Sequence, residues 1–285
     1  MSSLLLAESG STKTDWRLLR AEGRTQSFKT EGINPYLQSS AEINSMLNEQ
    51  LNWNAEKYPV DQVVFYGAGA SGKENQDLVK KALQSYFGQE DVSVQSDMMA
   101  AAHALCGDEK GVVCIIGTGS NSCYYDGKKA AEQQASLGYV AGDEGSGNYM
   151  GKRVLQYYAY NTFDAELHAF FEMEFGNDLE HILSKIYREP FPNRYLASFV
   201  KLLRENRGHY MVENIIEDCL NDFFRQYILK YRESWKQSIH FTGSVAFGFK
   251  DVVASICHQY ELELGKIVKS PLEGLVAYHR ATVLV

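Results

Sequence analysis

The absences in this chain of 285 residues narrow its chemistry before any motif is read. No apolar run approaches the ~20 residues that cross a bilayer. The N-terminal piece Leu4–Ala7 is too short for a signal-peptide core, so a cytoplasmic protein without membrane contact is expected. Positive charge is in short supply: 28 Lys+Arg against 36 Asp+Glu leave a net charge of −8. That balance opposes non-specific attraction to nucleic acid or an anionic membrane. It does not oppose nucleotide binding, for which local N–H groups and a metal ion suffice. The five cysteines (106, 114, 123, 219 and 257) are odd in number and form no C-x-x-C pair. Buried thiols in a reducing compartment fit this better than disulfides, structural zinc or an iron–sulfur cluster. The seven histidines show no metal-ligand spacing. With only five prolines and no low-complexity linker, the chain offers no flexible break, and its halves are expected to meet at a packed hinge.

At this length two domains are natural, and 45% hydrophobic with 22% charged residues is ordinary for a globular protein. One unusual idea occurs twice. Leu4–Ala7 runs into Glu8-Ser9-Gly10-Ser11-Thr12-Lys13-Thr14 and out through Trp16, Leu18 and Leu19. Val112–Ile116 runs into Gly117-Thr118-Gly119-Ser120-Asn121 and out through Cys123, Tyr124 and Tyr125. Each is strand, glycine–hydroxyl turn, strand, and each turn offers N–H groups and hydroxyls in one concavity. A strand–glycine–helix unit follows later in each half: Val63–Tyr66 with Gly67 to Gly72 and a helix carrying Leu78, Val79, Ala82 and Leu83, then Ile239–Thr242 with Gly243-Ser244 and a helix over 245–256. Four elements in matching order predict a duplicated α/β fold gripping one polyphosphate from both sides. Between Asp164 and Glu233 the apolar residues recur at helical spacing, including a long run from Tyr210 to Tyr231. This predicts a helical subdomain in the second half, its aromatic stripes serving as core.

Each motif has a plainer alternative. The Glu8–Thr14 turn ends in Lys-Thr but lacks the glycine before lysine and leads into a strand, so it is not a P-loop; taken alone it could be a surface hairpin. Asp97 follows the alternating Val92 and Val94 and opens an alanine-rich helix that Gly107 stops. It is either an N-cap or a general base at the carboxyl end of a strand. Gly138 to Gly147 packs Asp143 and Glu144 into a glycine-rich loop before a helix capped by Ser146. The loop is either a solvated turn or a ligand contact, and paired carboxylates suit sugar hydroxyls. Asn34, in Gly32-Ile33-Asn34-Pro35-Tyr36, is by itself more often a turn residue. His103 reads as packing.

Assembled in order, these motifs resemble the BadF/BadG-type ATPase superfamily and, within it, the N-acetylglucosamine kinase-like group of the actin, Hsp70 and sugar-kinase fold. The resemblance implies two ribonuclease H-like (actin-like ATPase) domains, about 1–105 and 106–270, with an interdomain nucleotide cleft. It also implies a helical insertion at about 160–235 and a C-terminal helix, about 271–285, that returns to the first domain. It implies further that Gly10, Ser11, Thr12 and Lys13 hold ATP phosphates from one side and Gly117, Thr118 and Gly119 from the other, with Gly243 and Ser244 beside adenosine. Asn34, Pro35, Ser120, Asn121, Gly138, Asp143 and Glu144 would contact an amino sugar, most simply N-acetylglucosamine. Asp97 would take the proton from its hydroxyl. Glu8 stands where the family has Asp and would order water around Mg²⁺ with one methylene too many. The activity so implied is phosphoryl transfer from MgATP to an N-acetylated amino sugar; separately, the helical subdomain is where a homodimer would form. Two alternatives stay open: an ATPase activating a partner protein, which the contexts of Cys106 and Cys123 disfavour, and a sugar sensor with weak turnover, which Glu8 favours.

Overall fold

The computed structural model describes residues 3–10 and 12–282. Ser11, one of the expected phosphate contacts, and residues 283–285 of the expected C-terminal helix lie outside them. The chain forms two compact units. Unit 1 runs to Asp108 and resumes at Pro271, and unit 2 is Glu109–Ser270.

In unit 1, β1 (Ser3–Ser9), β2 (Lys13–Arg20), β3 (Thr25–Glu31), β4 (Gln62–Gly67) and β5 (Val92–Ser96) form a sheet in the order β3-β2-β1-β4-β5. The first three strands are an antiparallel meander, and β4 and β5 continue the sheet parallel to β1. Unit 2 repeats the plan with β6 (Gly111–Ile116), β7 (Ser120–Tyr125), β8 (Ala130–Gln133), β9 (Ile239–Thr242) and β10 (Leu264–Val268), ordered β10-β9-β6-β7-β8. Again the first three are antiparallel and the last two extend the sheet in parallel. The duplication read from the turns is therefore a duplication of topology.

The central strands explain the apolar runs. Leu4, Leu5, Leu6 and Ala7 are all buried because β1 has covered faces on both sides, and an unbroken hydrophobic run is what such a strand requires. One face, with Leu5, Ala7, Trp16, Val63 and Phe65, packs on the helices Ser40–Gln50 and Lys73–Phe87. The other, with Leu4, Leu6, Val64 and Tyr66, packs on the helices Asp97–Cys106 and Leu272–Thr282. Those two helices approach closely: a Cβ on Gly274 would lie 2.5 Å from the Ala104 carbonyl oxygen. Beneath them the Tyr66 hydroxyl meets His103 Nδ1 at 2.8 Å and His279 Nε2 at 3.0 Å, so His103 is a packing residue.

In unit 2 the helical segment lies between β8 and β9. Its buried Phe171, Phe199, Phe223 and Phe224 join Val112, Cys114 and Ile116 of β6 in one hydrophobic cluster, so it covers the sheet instead of forming a separate core. Two expected helices are shorter than their sequence pattern. The run from Tyr210 stops at Gln226 and continues as 3₁₀ turns to Trp235. The segment after Gly243 divides into Ser244–Gly248 and Lys250–Gln259, because Phe249 leaves helical geometry (φ −116°, ψ 33°) to bury its ring. Here packing overrides propensity.

Candidate active site

In unit 1 the Gly10–Thr12 turn joins β1 to β2, whose register pairs Ser9 with Thr14 and Glu8 with Asp15. Gly10 N donates to Lys13 O at 3.0 Å and closes the turn. The Ser9 and Thr14 hydroxyls meet at 2.8 Å, and Ser9 Oγ accepts from Ile33 N at 2.9 Å. Gly32 N donates to Thr12 O at 3.2 Å, so the phosphate-type turn and the Gly32–Pro35 loop are tied together. In that loop Asn34 Oδ1 accepts from Tyr36 N at 3.0 Å, an Asx turn, and Pro35 is buried behind it. The same amide oxygen lies 2.8 Å from where Gly69 would carry a Cβ, which brings the loop after β4 alongside.

Asp97 is not the N-cap. Ser96 is, accepting from Met99 N at 3.3 Å, and Asp97 is the first helical residue. Its Oδ1 accepts from Met98 N at 2.8 Å. Burial raises its pKa from 3.8 to about 6, against the opposing pull of that N–H. Glu8, on β1, is raised from 4.5 to about 7, chiefly by burial. Asp15 opposite it adds to the shift, Lys13 opposes it, and Asp97 contributes last. A carboxylate near pH 6 at the carboxyl end of a parallel strand suits a general base.

In unit 2 three glycine segments converge. Gly147 N donates to Gly117 O at 2.8 Å and Asn148 N to Thr118 O at 3.0 Å. A Cβ on Gly243, at φ +117°, would lie 2.3 Å from Ile116 O and 3.1 Å from Gly117 N. Only glycine permits that approach of β9's end to the Gly117–Gly119 turn. Ser244 opens the short helix that follows and is exposed. Asp143, at φ +58° and buried, lays its carboxylate over Gly119, whose Cβ would meet Oδ2 at 2.9 Å. Its pKa is raised by burial, partly offset by Asn148 Nδ2 donating to Oδ2 at 2.8 Å. Ser120 Oγ donates to Glu144 O at 2.8 Å, and Tyr227 OH to Glu144 Oε2 at 2.8 Å. Asn121 Oδ1 accepts from Ser122 N and Gln133 Nε2. Gly138 begins a one-turn helix, Gly138–Ala141, held by Lys152 Nζ donating to Tyr139 O at 2.7 Å. Within each unit, then, the expected residues gather at one end of the sheet.

A solved structure from Porphyromonas gingivalis, named as a candidate N-acetylglucosamine kinase, is similar over 98% of this chain and 99% of its own, at 35% identity and a TM-score of 0.92. The chain belongs to the N-acetylglucosamine kinase-like family of sugar kinases. A second structure so named, from Chromobacterium violaceum, shares the fold at a TM-score of 0.72 with 16% identity, over 98% of this chain and 99% of that one. Among curated proteins, the N-acetylmuramic acid/N-acetylglucosamine kinase of Clostridium acetobutylicum is 24% identical over 171 residues, 55% of this chain and 54% of that one. The chain thus spans about half the length of the curated relative it matches. No family model matches it.

For an N-acetylglucosamine kinase-like chain a magnesium ion is the expected companion of ATP. Among the described residues no group of three or more His, Cys, Asp or Glu side chains could hold a metal. Glu8, whose carboxyl is raised chiefly by burial with Asp15 and Asp97 adding to the shift, is the residue that would hold such an ion through water. Three residues escaped the motif reading. Asn148 clamps Asp143 to the Thr118 carbonyl (2.7 Å), Tyr227 holds Glu144, and Asp15 pairs with Lys13. Asn148 and Asp15 sit one residue past recognisable motifs, which was the available signal; nothing local marks Tyr227.

Proposed function

We propose that this protein is an ATP-dependent sugar kinase that transfers the γ-phosphate of MgATP to a hydroxyl of an N-acetylated amino sugar, N-acetylglucosamine first among them. The reading rests above all on one observation. A family member aligned over essentially the whole chain coincides with a half-buried Asp97 whose carboxyl, lifted to about 6 by desolvation, is poised to take a hydroxyl proton. The turns at Gly10–Lys13 and Gly117–Gly119 supply N–H groups and hydroxyls to the triphosphate, with Gly243 and Ser244 on the adenosine side. Asn34, Pro35, Ser120, Asn121, Gly138, Asp143 and Glu144 address the sugar. The transition state of phosphoryl transfer is loose, so positioning and charge stabilisation do most of the work. Magnesium, held through water by Glu8, would neutralise charge developing on the phosphates.

The chemistry asks Asp97 to be ionised. kcat/KM therefore climbs as pH rises through about 6 and falls below it. The deciding measurement is ADP release with and without a panel of N-acetylated and free amino sugars. Release stimulated by N-acetylglucosamine is the expected result. Equal release without sugar points to an activator-type ATPase and rejects the kinase. Sugar binding with no release makes the protein a sensor, the outcome that Glu8 in place of the family aspartate favours.

A further inference from the structure

Lys13 and Asp15 stand two residues apart on β2, so both side chains leave the same face of the sheet. Lys13 Nζ lies 2.5 Å from Asp15 Oδ2, and Lys29, directly across on β3, has its ammonium 3.9 Å from Oδ1. Burial is lopsided: Asp15 is 5% exposed, whereas the Lys13 side chain is 61% exposed. Directly opposite Asp15 on β1 is Glu8, a second carboxylate on that face.

The hairpin does not need this pair for closure. The Gly10–Lys13 backbone bond and the Ser9–Thr14 hydroxyl pair already close it. A buried carboxylate is costly unless a cation stands beside it. Asp15 therefore demands an ammonium, and the one at 2.5 Å belongs to the residue next to the phosphate-type turn. An exposed lysine would otherwise spread over many rotamers, and ordering it on ligand binding costs about 0.5–1.5 kcal/mol.

We infer that Asp15 is a positioning residue: it holds the Lys13 ammonium at the mouth of the Gly10–Thr12 turn, ready for the nucleotide phosphates. The inference rests on the kinase reading only in needing ATP as ligand, so direct binding separates the two. Mg-ATP titrated into the intact protein by calorimetry should show Asp15→Asn weakening affinity about three- to tenfold. Asp15→Glu should restore much of the loss, and Asp15→Asn should add nothing in a Lys13→Ala background. In turnover, the KM for ATP should rise while the KM for sugar does not.

Circular dichroism melting accompanies each variant; if Asp15→Asn fails to fold, the Asp15→Glu and Lys13→Ala pair carries the test. ATP affinity unchanged or improved in Asp15→Asn overturns the inference, as does an undiminished effect when Lys13 is already alanine. If the unaltered protein binds ATP yet phosphorylates no sugar, the kinase reading falls and the inference can still be decided.

Discussion

The two units share a strand plan and solve different chemical problems with it. The order β3-β2-β1-β4-β5 of unit 1 is matched by β8-β7-β6-β9-β10 of unit 2, and the glycine turn follows the central strand in both. In unit 1 that end of the sheet carries ionisable side chains: Glu8, Lys13, Asp15 and Asp97, two of them raised to about 7 and about 6. In unit 2 it is built largely from backbone: a Cβ on Gly243 would meet Ile116 O at 2.3 Å, and one on Gly119 the Asp143 carboxylate at 2.9 Å. Its one buried acid, Asp143, is clamped by Asn148. The contrast teaches that a duplicated topology fixes where loops gather, while the residues at the tips decide whether they handle protons and charge or present N–H groups.

If that division is right, the most damaging substitution for turnover lies in unit 1. Asp97→Asn should lower the phosphorylation rate by about 10²–10⁴-fold while ATP affinity barely changes. The folded chain raises this group from 3.8 to about 6, so it binds the proton more tightly than the unfolded chain does. The ionised carboxylate therefore costs stability above about pH 6, on the order of 3 kcal/mol, and nothing below about pH 4. Asp97→Asn should accordingly melt several degrees higher at pH 7.5; an active or less stable variant would break the contrast.

Unit 2 should instead be vulnerable in its backbone. Gly243→Ala forces a Cβ to 2.3 Å from Ile116 O at φ +117° and should cost about 2–4 kcal/mol in denaturant unfolding. Gly117→Ala, with nothing within 4 Å of its Cβ, should cost under about 1 kcal/mol.

A smaller effect concerns protons in unit 1 away from the candidate site. Burial lowers His279 from 6.5 to about 4, so the unfolded chain binds that proton more readily. Stability from this group is complete above pH 6.5 and is lost as pH falls toward 4. Amide exchange in the Leu272–Thr282 helix should quicken over that window more than in β6 of unit 2. A comparably small change is Ser146→Ala, which removes the cap on Tyr149 N and should cost about 1 kcal/mol without altering pH behaviour.

Much of this was legible from residue order. Apolar runs long enough for doubly covered strands, each ending in glycine and hydroxyl residues, marked β1 and β6 and their turns. The alanine helix with its Gly107 stop and the Ser146 cap were equally local. Adjacent Ser96 and Asp97 could not be told apart as caps, since either side chain can reach the N–H groups of the first helical turn; the hydrogen bond from Met99 N gives the role to Ser96. The break at Phe249 was hidden because the pull of a buried ring on its backbone comes from neighbours distant in the chain.

Sequence alone, then, determined the repeated strand–turn–strand plan, because hydrophobic periodicity and glycine placement act over a few residues. Only the tertiary structure decided that Asp15 grips Lys13, that Asn148 restrains Asp143 and that Gly243 lies against Ile116. Those contacts join residues through burial, hydrogen bonding and close backbone approach, which depend on three-dimensional distance and leave no period in the chain.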